Sequence, residues 1–194
     1  MGFSKKEIQT TLRTLIPILS KENIKHILKI STYYKKEDKE IILKSYNLFF
    51  ILQGTVRGYI LDKKGLEKTV FLRTEGYFGG DIKTLFYNQP KTYYYEAIGE
   101  THVLALDIKD LETMAYSDHV LMQWYLSFLK DLIATLNYRV ESMISMTAKE
   151  RYLDLIRLNP EILEKVYAKH IASFLGITPV SLSRIISNLK KNSE

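Results

Sequence analysis

The segment 117–146 contains neither glycine nor proline, and it constrains the fold of this chain more than any other feature. Apolar residues recur along it at alternating spacings of four and three. They are Met122, Leu126, Leu129, Ile133, Leu136, Val140 and Met143. Such a heptad spacing keeps one stripe of a helix facing a partner helix. The segment therefore predicts one long helix that dimerises through these seven residues with a second copy of the chain.

A second apolar stripe on the same segment leaves another interpretation open. Trp124, Tyr125, Phe128 and Leu132 also recur at helical spacing. The helix could therefore lie on its own chain instead of on a partner. We expect both stripes to be used, one facing inward and one facing across a dimer.

The residues before the long helix have a different composition. From about Thr32 to Asp107, short runs rich in Tyr, Phe, Ile, Leu and Val are punctuated by glycines. This pattern is typical of antiparallel strands that close into a sandwich or roll. Two of the runs flank the turn-like sequence DKKG at 62–65 and predict a hairpin over 48–73. Apolar residues at helical spacing from Lys5 to Ile30 predict one or two short helices around Pro17 that cover one end of the sheet.

Composition excludes several kinds of site. The chain contains no cysteine, which excludes disulfides, cysteine-ligated zinc and iron–sulfur clusters. The histidines are scattered singly among elements of different type, so no haem ligand set or metal centre is indicated, and we expect no metal and no cofactor. These histidines are His26, His102, His119 and His170. No apolar run reaches the about 18 residues of a membrane helix, and the first residues lack the pattern of a signal peptide, so we expect a cytoplasmic protein.

Residues 168–187, AKHIASFLGITPVSLSRIIS, match a helix-turn-helix at its structurally constrained positions. Ala172 is small where two helices would cross, and Gly176 suits a left-handed turn. Thr178 is a good N-cap, and Pro179 suits the first helical position because no backbone N–H is needed there. The apolar residues fall where both helices bury a shared face: Ile171, Leu175, Ile177, Leu182 and Ile185.

Basic charge coincides with this motif. The chain carries a formal net charge of +6, and the stretch from Lys165 to Lys191 has five basic residues and no acidic one. A phosphate backbone attracts such a field, and the second helix of the motif enters the major groove by its N-terminal half. We expect base or phosphate contacts from Thr178, Pro179, Val180, Ser181, Ser183, Arg184, Ser187 and Asn188, and backbone contacts from Lys169, His170, Lys190 and Lys191. The alternative is a helix-turn-helix that never contacts DNA, with its lysines merely solvated.

The order of predicted roll, long helix and helix-turn-helix resembles the CRP/FNR family of bacterial transcription regulators. The resemblance spans nearly the whole chain and is carried by KERYLDLIRLNPEIL at 149–163 and KHIASFLGITPVSLSRI at 169–185. It implies an α+β fold: an N-terminal antiparallel β-roll of the jelly-roll-like double-stranded β-helix type over residues 1–116, a dimerisation helix over 117–146, and an all-α DNA-binding domain over 147–194.

The same resemblance implies a function. A CRP/FNR protein is a homodimer that binds a palindromic operator on double-stranded DNA, is not an enzyme, and has RNA polymerase as a candidate partner. Pro179 and Val180 replace an arginine and a glutamate of the family's recognition helix, and only Arg184 matches its second arginine. The operator sequence therefore cannot be transferred. The short stretch after Lys191 also indicates a short form without a β-hairpin wing.

The resemblance places an effector site in the stretch FGGDIKTLFYNQPKTYYYEAIG. The expected effector-binding residues are Gly79, Gly80, Asp81, Lys91, Thr92 and Tyr93. Alignment puts Lys91 on the family's phosphate-binding arginine and Tyr93 on a small alanine. Lysine cannot form the bidentate fork of arginine, and tyrosine would fill the hollow or force it open. We therefore expect a small effector other than cyclic AMP, with no ligand at all as an open alternative.

Two other function classes remain. A cupin-like metal-dependent enzyme would need several histidines on neighbouring strands, whereas the strand-rich region offers only His102. A protein-interaction module with a vestigial DNA-binding head would use the roll and the long helix to bind other proteins.

Overall fold

Two short helices precede the sheet, as the spacing of apolar residues predicts. In the computed structural model, which describes residues 2–42 and 48–191, α1 spans Lys5–Leu15 and α2 spans Lys21–Lys29. Each begins with a serine capping box, in which Ser4 pairs with Glu7 and Ser20 pairs with Asn23. The caps satisfy backbone N–H groups that the first turn leaves free, and the apolar faces of both helices lie in the main core.

The strands form one antiparallel sheet. They are β1 (Ser31–Lys36), β2 (Leu48–Leu61), β3 (Glu67–Arg73), β4 (Phe78–Gly79) and β5 (Tyr94–Leu106). The order is β1-β5-β2-β3, and β4 pairs with another part of β2. Hydrogen-bonding register shifts interrupt the long strand β2 in three places, next to residues 51–55 and 58–59. Such bulges bend a strand and increase its twist, so β2 pairs with β3, β4 and β5 at different points along its length. The predicted antiparallel roll is confirmed.

The predicted hairpin over 48–73 is present. β2 pairs with β3 from Val56 opposite Arg73 to Leu61 opposite Glu67. The Asp62 carboxylate closes the turn by accepting hydrogen bonds from the backbone N–H groups of Lys64 and Leu66. An aspartate in this position supplies the acceptors that a tight turn lacks.

Three helices follow the hairpin and lead to the C-terminal region. α3 spans Ile82–Tyr87, α4 spans Ile108–Ser117 and α5 spans His119–Ser145. Asp118 caps α5 through the N–H groups of Val120 and Leu121. The inward stripe of α5 is used as expected, because Trp124 and Phe128 pack on Phe78 with ring centroids 5.1 and 4.7 Å apart.

A second, smaller core holds the last helices together. They are α6 (Ala148–Leu158), α7 (Ile162–Lys165), α8 (Ala168–Phe174) and α9 (Pro179–Lys191). Their buried apolar residues form one cluster that also includes Ile98 of β5, with Leu72 of β3 packed against it. The C-terminal helices therefore rest on the sheet. None of the helices in the described residues is both long and apolar enough to cross a membrane.

Candidate nucleic-acid interface

The turn between α8 and α9 has the conformation that the sequence predicts. Gly176 has a φ of +71°, in the left-handed region. Its N–H donates to the carbonyl of Ser173, and the N–H of Ile177 donates to the carbonyl of Ala172. A β-carbon at Gly176 would also lie only 2.9 Å from Cε of Met143 on α5. Glycine is needed here for its backbone conformation and for the close approach of α5.

The start of α9 is also as predicted. Pro179 is its first residue, and the hydroxyl oxygen of Thr178 accepts a hydrogen bond from the N–H of Ser181 at 3.1 Å. Leu182 is buried in the second core and fixes which face of α9 turns inward. Because 3.6 residues make one helical turn, positions away from Leu182 face outward.

Most of the residues predicted to reach DNA are exposed, on α9, just before it at Thr178, or on α8 at Lys169. The exposed ones are Lys169, Thr178, Pro179, Val180, Ser183, Arg184, Ser187, Asn188, Lys190 and Lys191, whereas Ser181 is partly buried. Val180 is 62% exposed although it is apolar. Within residues 2–42 and 48–191, Arg184 has no ion-pair partner, so its guanidinium is available to a ligand.

His170 is the exception, and its predicted role needs correction. Its side chain is buried between α8 and the sheet, with the whole residue 5% exposed. Burial, followed by the positive charge of Arg57, lowers the pKa of His170 to about 4. His170 is therefore neutral at pH 7 and turned away from solvent, so it cannot hold a phosphate in this conformation. The sequence predicts that His170 lies on an exposed helix, because the order of residues does not show that the sheet covers α8.

A buried ion cluster lies beneath α8. Arg57 is 2% exposed, and its Nη1 atom donates to Glu67 Oε2 and to Glu96 Oε1, both at 2.7 Å. Its Nε atom donates to the hydroxyl of Thr69 at 2.9 Å. Nε2 of His170 lies 3.8 Å from the same Glu96 oxygen. Each buried charge in the cluster has an oppositely charged partner, which offsets part of the free-energy cost of removing it from water.

Polar contacts on either side of the cluster attach α8 to the roll. The N–H of Thr69 on β3 donates to the hydroxyl oxygen of Ser173 at 2.9 Å. The Tyr167 hydroxyl donates to Asp38 at 2.7 Å, and Lys39 lies 5.6 Å from the centre of the Tyr167 ring. The first helix of the motif is therefore docked on the roll, whereas α9 packs on the second core through Leu182 and keeps its polar face in solvent.

Comparison with known proteins gives no match by sequence and several by structure. No family model and no curated protein matches the chain. FixK2 of Bradyrhizobium japonicum superposes with a TM-score of 0.70 at 19% identity, over 84% of this chain and 86% of FixK2. A CooA variant from Carboxydothermus hydrogenoformans gives 0.66 at 19% identity, over 85% and 78%. A Eubacterium rectale protein assigned to the CRP/FNR transcriptional regulators gives 0.68 at 15% identity, over 92% and 88%.

The chain has the CRP/FNR fold. The roll, the long helix and the C-terminal helices occur in the order that the sequence predicts. Identities of 15 to 19% establish the architecture alone.

The long helix of this CRP/FNR fold leaves much of the predicted dimer seam uncovered. Met122 and Leu129 are partly buried against the main core of the same chain. The other five predicted residues are exposed, Ile133 and Val140 by 62% and 59%. These five form an apolar stripe on the outward side of α5: Leu126, Ile133, Leu136, Val140 and Met143.

The hollow of the roll, where the resemblance places an effector, is almost filled. Its free volume is about 60 Å³, and its lining includes Gly79, Gly80, Phe49 and Tyr95. The rings of Phe49 and Tyr95 pack edge to face at 5.1 Å, and the Tyr95 hydroxyl donates to the carbonyl of Gly80 at 2.9 Å. A β-carbon at Gly79 would lie 2.1 Å from the Phe49 ring, so Phe49 occupies the space next to that glycine.

The remaining predicted effector residues do not line this cavity. Asp81 caps α3 through the N–H groups of Lys83 and Thr84, and its other oxygen accepts from the N–H groups of Thr92 and Tyr93. Lys91 is exposed, with its ammonium 4.7 Å from the centre of the Tyr94 ring. The backbone donors of the loop are therefore occupied by a carboxylate of the chain itself.

His102, which the enzyme alternative requires, is a core residue. Its Nδ1 atom is 2.6 Å from the Tyr33 hydroxyl, its Nε2 atom is 2.9 Å from Glu100, and its ring stacks on Phe3. Among the described residues, no group of three or more histidine or acidic side chains is arranged to hold a metal ion.

Proposed function

We propose that this chain is a transcription regulator of the CRP/FNR type that binds a palindromic operator as a homodimer. In this proposal residues 1–116 form the sensor domain, 117–146 the dimerisation helix and 147–194 the DNA-binding domain. The observation that carries the proposal is the exposed N-terminal half of α9, where Arg184 has no partner in the described part of the chain and Val180 is held in solvent.

The proposed DNA contacts follow from the chemistry of that face. Arg184 suits a bidentate contact with guanine, and Val180 suits the methyl group of thymine. Lys190 and Lys191 lie at the other end of α9, where ammonium groups would neutralise phosphates and position the helix. Lys169 on α8 is exposed and serves the same purpose.

The proposed dimer forms through the outward stripe of α5. Exposed leucine, isoleucine and valine side chains at heptad spacing favour packing against an identical helix. A two-fold pair presents two copies of α9 to the duplex, and two half-sites about one helical turn, or about 34 Å, apart would then be read as a palindrome.

The proposal also includes a small effector at the roll and RNA polymerase as a partner of the bound dimer. Room for about one or two water-sized groups exists in the roll while Phe49 and Tyr95 keep their positions. A larger effector in that hollow therefore requires these two rings to move, and measurable displacement of Tyr95 on binding would be its signature.

Selection from random duplexes with the full chain tests the DNA-binding proposal. We expect enrichment of a two-fold symmetric sequence and protection of both half-sites in footprinting across a series of salt concentrations. Arg13, an exposed arginine on α1 remote from the motif, provides a matched control as Arg13→Ala. Weak binding to every sequence, lost near physiological salt, would contradict the proposal, as would a monomer by sedimentation.

A further inference from the structure

A second and larger cavity lies where the roll, the long helix and the last helices meet. We call it the junction cavity, and its free volume is about 370 Å³. Its walls come from β3 and the turn after it (70–74 and 77), from α5 (134–142), from α6 and its end (151–159), and from residues 174–175 before the turn of the motif. This volume is within the range of small-molecule sites.

Three arginines line the junction cavity, and none forms an ion pair within residues 2–42 and 48–191. Arg139 donates to the carbonyl of Phe174, and Arg151 donates to the carbonyl of Leu175 at 2.9 and 3.2 Å. The guanidinium of Arg73 makes no hydrogen bond within the described ranges and lies 4.8 Å from the centre of the Tyr77 ring. Guanidinium groups in partly buried positions are normally paired with carboxylates.

The charge of the lining is unbalanced. Asp154 is the sole acidic residue among the described lining residues, and its Oδ1 atom is engaged by Arg157, which lies outside the cavity. Burial and the nearby charge of Arg151 lower the pKa of Arg139 to about 10, so Arg139 still carries its charge at pH 7. An anion in the cavity would offset this repulsion and the cost of desolvation.

Asp154 provides an independent indication of a ligand. Its Oδ2 atom is buried and accepts no hydrogen bond. Buried carboxylate oxygens are nearly always satisfied, because leaving one without a donor is costly. A ligand hydroxyl or amino group would supply the missing donor.

We propose that the junction cavity binds a small organic anion. Its carboxylate or phosphate group would lie among Arg73, Arg139 and Arg151, and a hydroxyl or amino group would donate to Asp154. The apolar part would pack on Leu72, Leu155, Leu158 and Phe174, which also line the cavity. This site lies next to the hollow of the roll, and the two cavities share Phe71, Arg73, Tyr77 and Thr135 in their linings.

Occupancy of this site would affect how the proposed DNA-binding domain, residues 147–194 and here called the head, is placed against the roll. The ligand would touch β3 on one side and residues 174–175, whose carbonyls Arg139 and Arg151 hold, on the other. It would therefore stabilise one arrangement of roll and head. This consequence rests on the proposed function, whereas the binding itself does not.

A pair of matched dyes tests the binding with the full chain. 8-Anilinonaphthalene-1-sulfonate carries one anionic group, and N-phenyl-1-naphthylamine has the same aromatic body without it. We expect Arg73→Met to weaken binding of the anionic dye at least tenfold and to change binding of the neutral dye less than twofold. Arg13→Met should change neither. Equal loss of both dyes, or no loss of the anionic one, would overturn the proposal.

A second variant shows which cavity binds the dye, and it tests the proposal even if Arg73→Met fails to fold. Ala134 lines the junction cavity but not the hollow of the roll, and it is exposed enough to accept a larger side chain. Ala134→Phe should reduce binding of the anionic dye at least tenfold with an unchanged circular dichroism spectrum. Unchanged anionic dye binding in this variant would place the site elsewhere and contradict the proposal.

Displacement distinguishes the two possible anionic groups. We would compete the anionic dye with 1-naphthyl phosphate, 1-naphthaleneacetate and the neutral 1-naphthaleneethanol. Preferential displacement by the phosphate or by the carboxylate supports the proposal and assigns the group, whereas equal displacement by the neutral alcohol overturns it. None of these measurements includes DNA, so a failure here is distinct from a failure to bind an operator.

Discussion

The two helices of the motif differ in what covers them, although both carry basic residues. α8 is docked on β3, with His170 buried against the Glu96 and Arg57 cluster. α9 turns Leu182, Ile185, Ile186 and Leu189 towards the second core and keeps its opposite, polar face in solvent. One helix therefore anchors the C-terminal helices to the roll, whereas the other keeps its polar side chains in solvent.

Removing the buried cation should have the largest effect. Arg57→Met leaves Glu67 and Glu96 without their shared partner beneath α8, and we expect a loss of about 3 to 5 kcal/mol in the free energy of unfolding. Urea denaturation followed by circular dichroism measures it. The exposed control Arg13→Met should change the same quantity by less than about 0.5 kcal/mol. A loss below about 1 kcal/mol for Arg57→Met would show that the anchor contributes little.

Arg184→Ala should act on binding and not on folding. We expect a loss of about 1 to 3 kcal/mol at the selected operator, because an exposed guanidinium would lose a bidentate base contact. Titration of labelled operator measures it, and the urea midpoint should stay unchanged because Arg184 has no ion pair in the described residues. Equal affinity of variant and parent would remove Arg184 from sequence recognition.

The pH dependence of stability should reveal the burial of His170. Its pKa is about 4 in the folded chain and has an ordinary value of 6.5, so the unfolded chain binds more protons between these two pH values. The stabilisation is fully present above pH 6.5 and is lost as the pH falls towards 4. We expect a smaller loss than that of Arg57→Met, because the pairs of Arg57 with Glu67 and Glu96 remain.

A matched variant isolates this histidine. His170→Gln cannot become charged, so its free energy of unfolding should decline less steeply than that of the parent between pH 6.5 and 4. Identical slopes in the two proteins would mean that His170 titrates normally and is not buried against the roll in solution.

The smallest effect should come from a phosphate contact. Lys190→Ala should weaken binding to specific and random duplexes alike, and should reduce the slope of log affinity against log salt by about 1. Fluorescence anisotropy over a series of salt concentrations measures both. A loss confined to the specific operator would move Lys190 from the backbone contacts to the base contacts.

Local residue choices made the elements of this fold predictable. Gly176, Thr178 and Pro179 each satisfy a backbone requirement of the turn, and the structure confirms all three. The hairpin around Asp62 and the helices before β1 follow equally from turn residues and apolar spacing. These features depend on neighbours within a few positions along the chain, and such interactions are visible in the order of residues.

The candidate sites were less predictable because they depend on distant partners. Alignment placed Lys91, Thr92 and Tyr93 at an effector, whereas the backbone donors of Thr92 and Tyr93 are occupied by Asp81. His170 was expected at a phosphate and lies on Glu96, 74 positions away along the chain. The three arginines of the junction cavity come from β3, α5 and α6, and no local pattern connects them.

Three features follow from the order of residues alone: the order of the elements, the geometry of the turn before α9 and the concentration of basic charge there. Three other features depend on how distant segments pack: α8 is covered, Phe49 and Tyr95 fill the hollow of the roll, and three arginines line the junction cavity. The physical reason is the separation along the chain between the residues that interact. Helix caps, turns and periodic apolar faces involve residues close in sequence, whereas burial, pKa shifts and cavities depend on which distant surfaces pack together.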